Sequence, residues 1–157
     1  MSPRSRYPYE TPLISWIDVA RGAGAGAGIL ILGGVGFGFL SSDILGTTDF
    51  RFYVFLLQLA AFFLAGYTAG YAVDDAPASN GMVAALGTIA VWVPVRALLW
   101  HMNQRSEGVK LFSDQAISVP LLLAACGLAV IVGIAAAYIG AGMADWRRER
   151  QRERQRR

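Results

Sequence analysis

The chain has 157 residues, of which 55% are hydrophobic and 16% are charged, and its formal net charge is +3. Soluble domains are about 25% charged, so this composition argues against an ordinary water-soluble core, and a single cysteine argues against a disulfide scaffold. Fifteen of the 25 charged residues lie in residues 1–21 and 145–157, which leaves ten for the 123 residues between them. This distribution predicts an all-α, polytopic integral membrane protein with a four-helix transmembrane bundle.

The N-terminal segment, residues 1–21, carries Arg4, Arg6 and Arg21 ahead of the first apolar stretch. Its last part is rich in bulky apolar side chains, so we expect a cytoplasmic segment that lies at the membrane interface. Asp18 and Arg21 are three residues apart, a spacing that lets the two side chains pair on a helix. A signal peptide is not expected, because the following apolar stretch is too long and three more come after it.

Four long apolar stretches follow in residues 22–144, and each is long enough to cross a membrane. A helix rises about 1.5 Å per residue, so about 20 residues cross a hydrocarbon layer of about 30 Å. Helices are expected because backbone groups in lipid must bond within their own segment. Pro77 and Asn80-Gly81 predict a turn before the third span, with Ser79 or Asn80 as the candidate helix cap. The predicted spans are about 22–42, 52–73, 81–101 and 117–144.

Glycines are abundant, and eight of the 18 lie between Gly22 and Gly38. The alternating run 22–28 has the period of a strand, but it continues directly into an apolar stretch, so we expect a helix. Glycines four residues apart share one helix face and allow close approach of two backbones. Two interpretations remain open: packing among the chain's own helices, or contact with another chain. The predicted packing glycines are Gly22, Gly26, Gly34, Gly38, Gly66, Gly70, Gly133 and Gly140.

Two polar residues stand out within the spans. Gln58 lies well inside the second span, where its amide is expected to bond to another helix; the alternative is that it lines a permeation path. Arg96 lies near the end of the third span, two residues after Pro94, which is expected to kink or end that helix. Arg96 is expected to extend toward the lipid headgroups, with carboxylate pairing or anion binding as the alternatives.

The C-terminal tail, residues 145–157, holds seven arginines from Arg147 to Arg157. Its alternating arginines and glutamates favour a helix that continues from the fourth span. Ten Lys and Arg residues fall on the N-terminal side of the membrane and four on the other, which predicts that both termini are cytoplasmic. Nucleic-acid binding is not expected, because the tail has no interleaved aromatic residues. The arginines expected to contact anionic lipid headgroups are Arg147, Arg148, Arg150 and Arg152.

The sequence contains no recognisable catalytic, nucleotide-binding or metal-binding pattern. His101 and Cys126 are single copies, whereas a metal site needs several ligands, and the glycine run lacks a Gly-Lys-Ser/Thr ending. We expect a non-catalytic protein without a cofactor: an accessory, assembly or interaction subunit that packs against itself or another membrane protein. The alternative is a small oligomeric channel or transporter. Thirteen arginines against one lysine suit a prokaryotic cytoplasmic membrane protein.

Overall fold

The computed structural model describes residues 14–40, 47–72, 76–103 and 119–156, and nearly all of them are helical. The predicted all-α class is confirmed in this part of the chain. Each helix contains a stretch long and apolar enough to cross a membrane, which suggests a multi-pass membrane protein. The helices are α1 (Trp16–Leu40), α2 (Thr47–Ala72), α3 (Pro77–Asn103) and α4 (Val119–Gln155).

The ends of α1 and α4 extend beyond the predicted spans. α1 begins at Trp16, so residues 16–21 belong to the same helix as the glycine run. Ser15 precedes it; its carbonyl accepts the N–H of Val19 at 2.9 Å, and its hydroxyl donates to Asp18 at 2.6 Å. The predicted Asp18–Arg21 pair is confirmed at 3.4 Å. α4 has 37 residues and continues to Gln155, which confirms the predicted helical tail.

The start and the interior of α3 differ from two predictions. Asn80-Gly81 is not a turn, because α3 already begins at Pro77, a residue whose fixed φ and missing N–H suit the first helical position. Ala76 precedes it with a φ of 54°, a left-handed conformation that alanine rarely adopts. Pro94 does not end the helix, which continues to Asn103.

α2 and α3 form the central pair of the bundle. They contact each other, and each also contacts α1 and α4, while α1 and α4 make no contact with each other within the described ranges. Contacts between Ser15 and Asn80 and between Tyr71 and Arg147 place the starts of α1 and α3 beside the ends of α2 and α4. We call this end of the bundle the tail end, and the opposite end, where α4 begins, the far end.

The core of the bundle consists mainly of alanine and glycine. Phe62 is the one large apolar side chain that is fully buried among the described residues. Small side chains let helix backbones approach closely, so dispersion between backbones replaces the interlocking of large side chains. The fully buried alanines are Ala61, Ala65, Ala69, Ala84, Ala85, Ala129, Ala136 and Ala137.

Candidate functional site

The glycine run of α1 forms two opposite faces. Residues two apart on a helix differ by about 200° and residues four apart by about 40°, so Gly22 and Gly26 share one face while Gly24 and Gly28 share the other. A Cβ atom on Gly26 would lie 2.8 Å from the carbonyl oxygen of Ala61 on α2. Gly24 and Gly28 have no described atom within 4 Å of such a Cβ. The first pair therefore packs inside the bundle, and the second faces outward.

α2 and α4 meet through glycines on both helices. A Cβ on Gly66 would lie 2.8 Å from the Cα of Gly133 and even closer to its carbonyl oxygen. One turn along α2, a Cβ on Gly70 would lie 2.5 Å from the Cα of Ala137. Because backbone atoms of α4 occupy the space, α2 cannot accept even a methyl group at Gly66 or Gly70 without moving.

The other predicted glycines also lie along α1 and α4. Gly140 of α4 packs against the carbonyl of Tyr67, and Gly34 of α1 is buried. Gly38 is a residue of α1 whose surroundings lie outside the described part of the chain. Gly81, which the sequence assigned to a turn, instead lies in α3 and faces α4: a Cβ atom on it would lie 2.5 Å from the carbonyl oxygen of Gly133.

Two threonines within the spans are bonded to backbone carbonyls. Thr88 is fully buried, and its hydroxyl lies 3.2 Å from the carbonyl oxygen of Ala84 and 3.4 Å from that of Ala23 on α1. The Thr68 hydroxyl donates to Leu64 at 2.8 Å within α2. These hydroxyl groups therefore stabilise helices and do not form a polar path.

Gln58 and Arg96 line a common cleft toward the far end of the bundle. Both side chains are partly buried, and the cleft is narrow, with a cavity volume of about 40 Å³. All four helices contribute to its walls, which are otherwise mostly apolar. Its walls include Leu30, Gln58, Phe62, Trp92, Arg96 and Leu121.

The predicted headgroup arginines lie along the exposed end of α4. Arg147 donates a 3.1 Å hydrogen bond to the Tyr71 hydroxyl and lies 5.7 Å from the centre of that ring. Arg150 lies over the ring of Trp146 at 3.9 Å. Arg148 is near Asp145, and Arg152 is exposed. The arginines thus form a cationic extension at the tail end.

Asn80, which was predicted as a helix cap, is instead a buried residue inside α3. It is completely buried, accepts the Ser15 N–H at 2.8 Å and donates to the Ala76 carbonyl at 3.0 Å. The signal was Pro77: a proline at the first helical position places Asn80 inside the helix, one turn on.

Within the described ranges, no three His, Cys, Asp or Glu residues lie close enough to hold a metal ion. Cys126 is a free, partly exposed thiol on α4. In comparisons with known proteins, the chain matches no family model, no curated protein and no solved structure.

Proposed function

We propose that the chain is a multi-pass protein of a prokaryotic cytoplasmic membrane, with both termini in the cytoplasm. It acts there without catalysis, as an accessory, assembly or interaction subunit that packs through glycine-rich helix faces. Four apolar helices support the location. The excess of arginine at the tail end supports the orientation, and it favours contact between the exposed α4 arginines and anionic headgroups.

The outward face of α1, which contains Gly24 and Gly28, is the observation that supports a helix partner. The apolar stretch of α1, Trp16–Gly34, has a mean hydropathy of 1.2, against 2.5 for that of α4, and it is the least apolar of the four. Lipid stabilises a helix through its apolar surface, and the open glycines Gly24 and Gly28 offer almost none. A second helix at this face would gain close backbone packing instead.

Leucine substitutions at the two open glycines test this role. Gly24→Leu and Gly28→Leu are expected to leave the monomer folded and to reduce the mass of the complex that the protein forms in native membranes, measured by native mass spectrometry after mild solubilisation. Gly127→Leu is the matched control, because Gly127 is equally open but lies on the apolar helix α4. An unchanged complex in both α1 variants contradicts a packing role for this face.

A small oligomeric channel or transporter is the second candidate. It is favoured by one observation, the shared position of Gln58 and Arg96 in a cleft bounded by all four helices. Liposomes containing the protein are then expected to show ion or solute flux that Gln58→Leu reduces. If wild-type liposomes show no flux, the channel proposal is contradicted.

A further inference from the structure

An open groove runs along the outer face of α2. This helix lies between α1 and α4, which do not contact each other within the described ranges. The groove has a cavity volume of about 490 Å³, and Ala60 and Phe63 are exposed on its floor. We call it the α2 groove. The residues that line it are all apolar: Ile29 from α1, Leu59, Ala60, Phe63 and Leu64 from α2, and Val132 from α4.

Three aromatic residues continue the floor of the α2 groove toward the tail end. Phe63, Tyr67 and Tyr71 are spaced four residues apart, so they follow one another along one face of α2. The ring centres of Phe63 and Tyr67 are 6.1 Å apart, and those of Tyr67 and Tyr71 are 6.0 Å apart, with both pairs stacked. The apolar floor therefore extends as an aromatic column to the last turn of α2.

Arg147 lies at the tail end of this column. It extends from α4 to α2, donates a 3.1 Å hydrogen bond to the Tyr71 hydroxyl and lies 5.7 Å from the centre of that ring. The hydroxyl is neutral, so this contact positions the guanidinium without cancelling its charge. A guanidinium has five N–H groups, and the others can donate to an anionic oxygen. The path is thus apolar along its length and cationic at the tail end.

The length of this path matches one membrane leaflet. Tyr71 and Ala60 are eleven residues apart, about 16 Å along α2, and half of a hydrocarbon layer is about 15 Å thick. A lipid whose phosphate lies at Arg147 therefore places its acyl chain in the α2 groove. A membrane-spanning helix fits less well, because it would continue past Arg147 and place apolar side chains against a charged group.

We propose that the α2 groove binds one anionic phospholipid of the leaflet at the tail end. Its phosphate accepts hydrogen bonds from Arg147, whose planar fork matches two phosphate oxygens, and one acyl chain runs along the aromatic column to Ala60. The proposal rests on the membrane location and the headgroup contact proposed above, but not on the role as an accessory subunit. It gives one lipid a fixed place where the tail alone offers only a general attraction.

The first test counts the lipids that the full-length chain retains in detergent. Phosphatidylglycerol and phosphatidylcholine with identical acyl chains are titrated in, and bound lipids are counted by native mass spectrometry. One phosphatidylglycerol is expected to bind at about fivefold lower concentration than phosphatidylcholine, the contribution of one basic residue beside an anionic lipid. Equal affinity for the two lipids overturns both this proposal and the proposed headgroup contact.

Substitutions at two adjacent arginines separate the groove from the general charge of the tail. Arg147→Gln is expected to abolish the preference for phosphatidylglycerol. Arg148→Gln is the matched control, because it removes the same charge from the same helix, but Arg148 lies near Asp145 at 3.9 Å. A preference that survives Arg147→Gln overturns the proposal. If both variants lose it equally, the headgroup contact stands and the groove is overturned.

Filling the α2 groove tests the path of the acyl chain without any change of charge. Ala60 is exposed, so Ala60→Phe fills the floor of the groove without disturbing the interior of the bundle, and it is expected to weaken binding of the first phosphatidylglycerol. Gly127→Phe is the control, because Gly127 is open but does not line the groove. Unchanged binding in Ala60→Phe overturns the proposal. A dimer of the chain that Ala60→Phe dissociates would identify a second copy as the occupant, which also overturns it.

Discussion

The backbone N–H of Ser15 donates a 2.8 Å hydrogen bond to the side-chain oxygen of Asn80, joining the starts of α1 and α3. Asn80 is completely buried, and its amide nitrogen is held by the carbonyl of Ala76 at 3.0 Å. One asparagine thus supplies an acceptor to the N-terminus of one helix while it is anchored in the first turn of another. This contact fixes the relative position of two helices that adjoin at the tail end.

Replacing Asn80 by leucine is expected to destabilise the bundle. The Ser15 N–H would lose its acceptor, and an unsatisfied buried donor costs about 1–3 kcal/mol. For a chain of this size, that cost lowers the midpoint of thermal unfolding in detergent by about 2–12 °C. Ser79→Ala is the control, because the Ser79 hydroxyl donates to the same Ala76 carbonyl but Ser79 is less buried. Equal midpoints for Asn80→Leu and wild type would show that the contact contributes nothing.

Thr88→Val removes a hydrogen-bond donor, whereas Asn80→Leu removes an acceptor. Thr88 is also fully buried and lies near carbonyls of α1 and α3, but it acts as the donor. Carbonyls within a helix already accept a backbone N–H, so removal of the hydroxyl leaves no group without a partner. We expect a loss of less than about 1 kcal/mol, clearly smaller than for Asn80→Leu. A larger loss in the valine variant would contradict this distinction between donors and acceptors.

Alanine substitution where α4 packs against α2 and α3 is expected to be severe. A methyl group on Gly66 would overlap the backbone of Gly133 on α4, and one on Gly133 would overlap the carbonyl oxygen of Gly81 on α3; backbone cannot move aside as a side chain tip can. We expect Gly66→Ala and Gly133→Ala to separate the helices, lowering the yield of monodisperse protein and the unfolding midpoint, both measured by size-exclusion chromatography with heating.

Gly127 and Gly142 provide matched controls on α4, because nothing described lies within 4 Å of a Cβ at either position. Alanine favours a helix over glycine by up to about 1 kcal/mol, so Gly127→Ala and Gly142→Ala are expected to be neutral or stabilising. If all four alanine variants behaved alike, close backbone approach would not be what these glycines provide.

The number of helices was predictable because it depends only on the lengths of apolar stretches and on the backbone's need for internal hydrogen bonds. Which face of each helix points into the bundle could not be predicted from the sequence. In a soluble helix the apolar face points inward, but a membrane helix is apolar on all sides. The alternation over 22–28 therefore defines two glycine faces without indicating which one is buried.

The cleft that Gln58 and Arg96 share could not be predicted from the sequence either. Gln58 and Arg96 were each singled out by their polarity, yet they lie 38 residues apart on antiparallel helices. Their proximity depends on the level at which α2 and α3 pack, and that level is set by small residues such as Gly26 against Ala61 and Thr88. Composition identifies those small residues but does not pair them.

The orientation of the chain can be tested through its arginines. A reporter fused after Arg157 is expected to be active in its cytoplasmic form, because ten Lys and Arg residues lie on that side and four on the other. Replacing the seven tail arginines by glutamine would leave three against four, which removes the bias, so mixed orientation is expected. Replacing Glu149 and Glu153 by glutamine is the control, since acidic residues contribute little to orientation. A reporter that is external in the wild type, or a tail variant that keeps one orientation, would show that something other than the positive charge of the tail directs insertion.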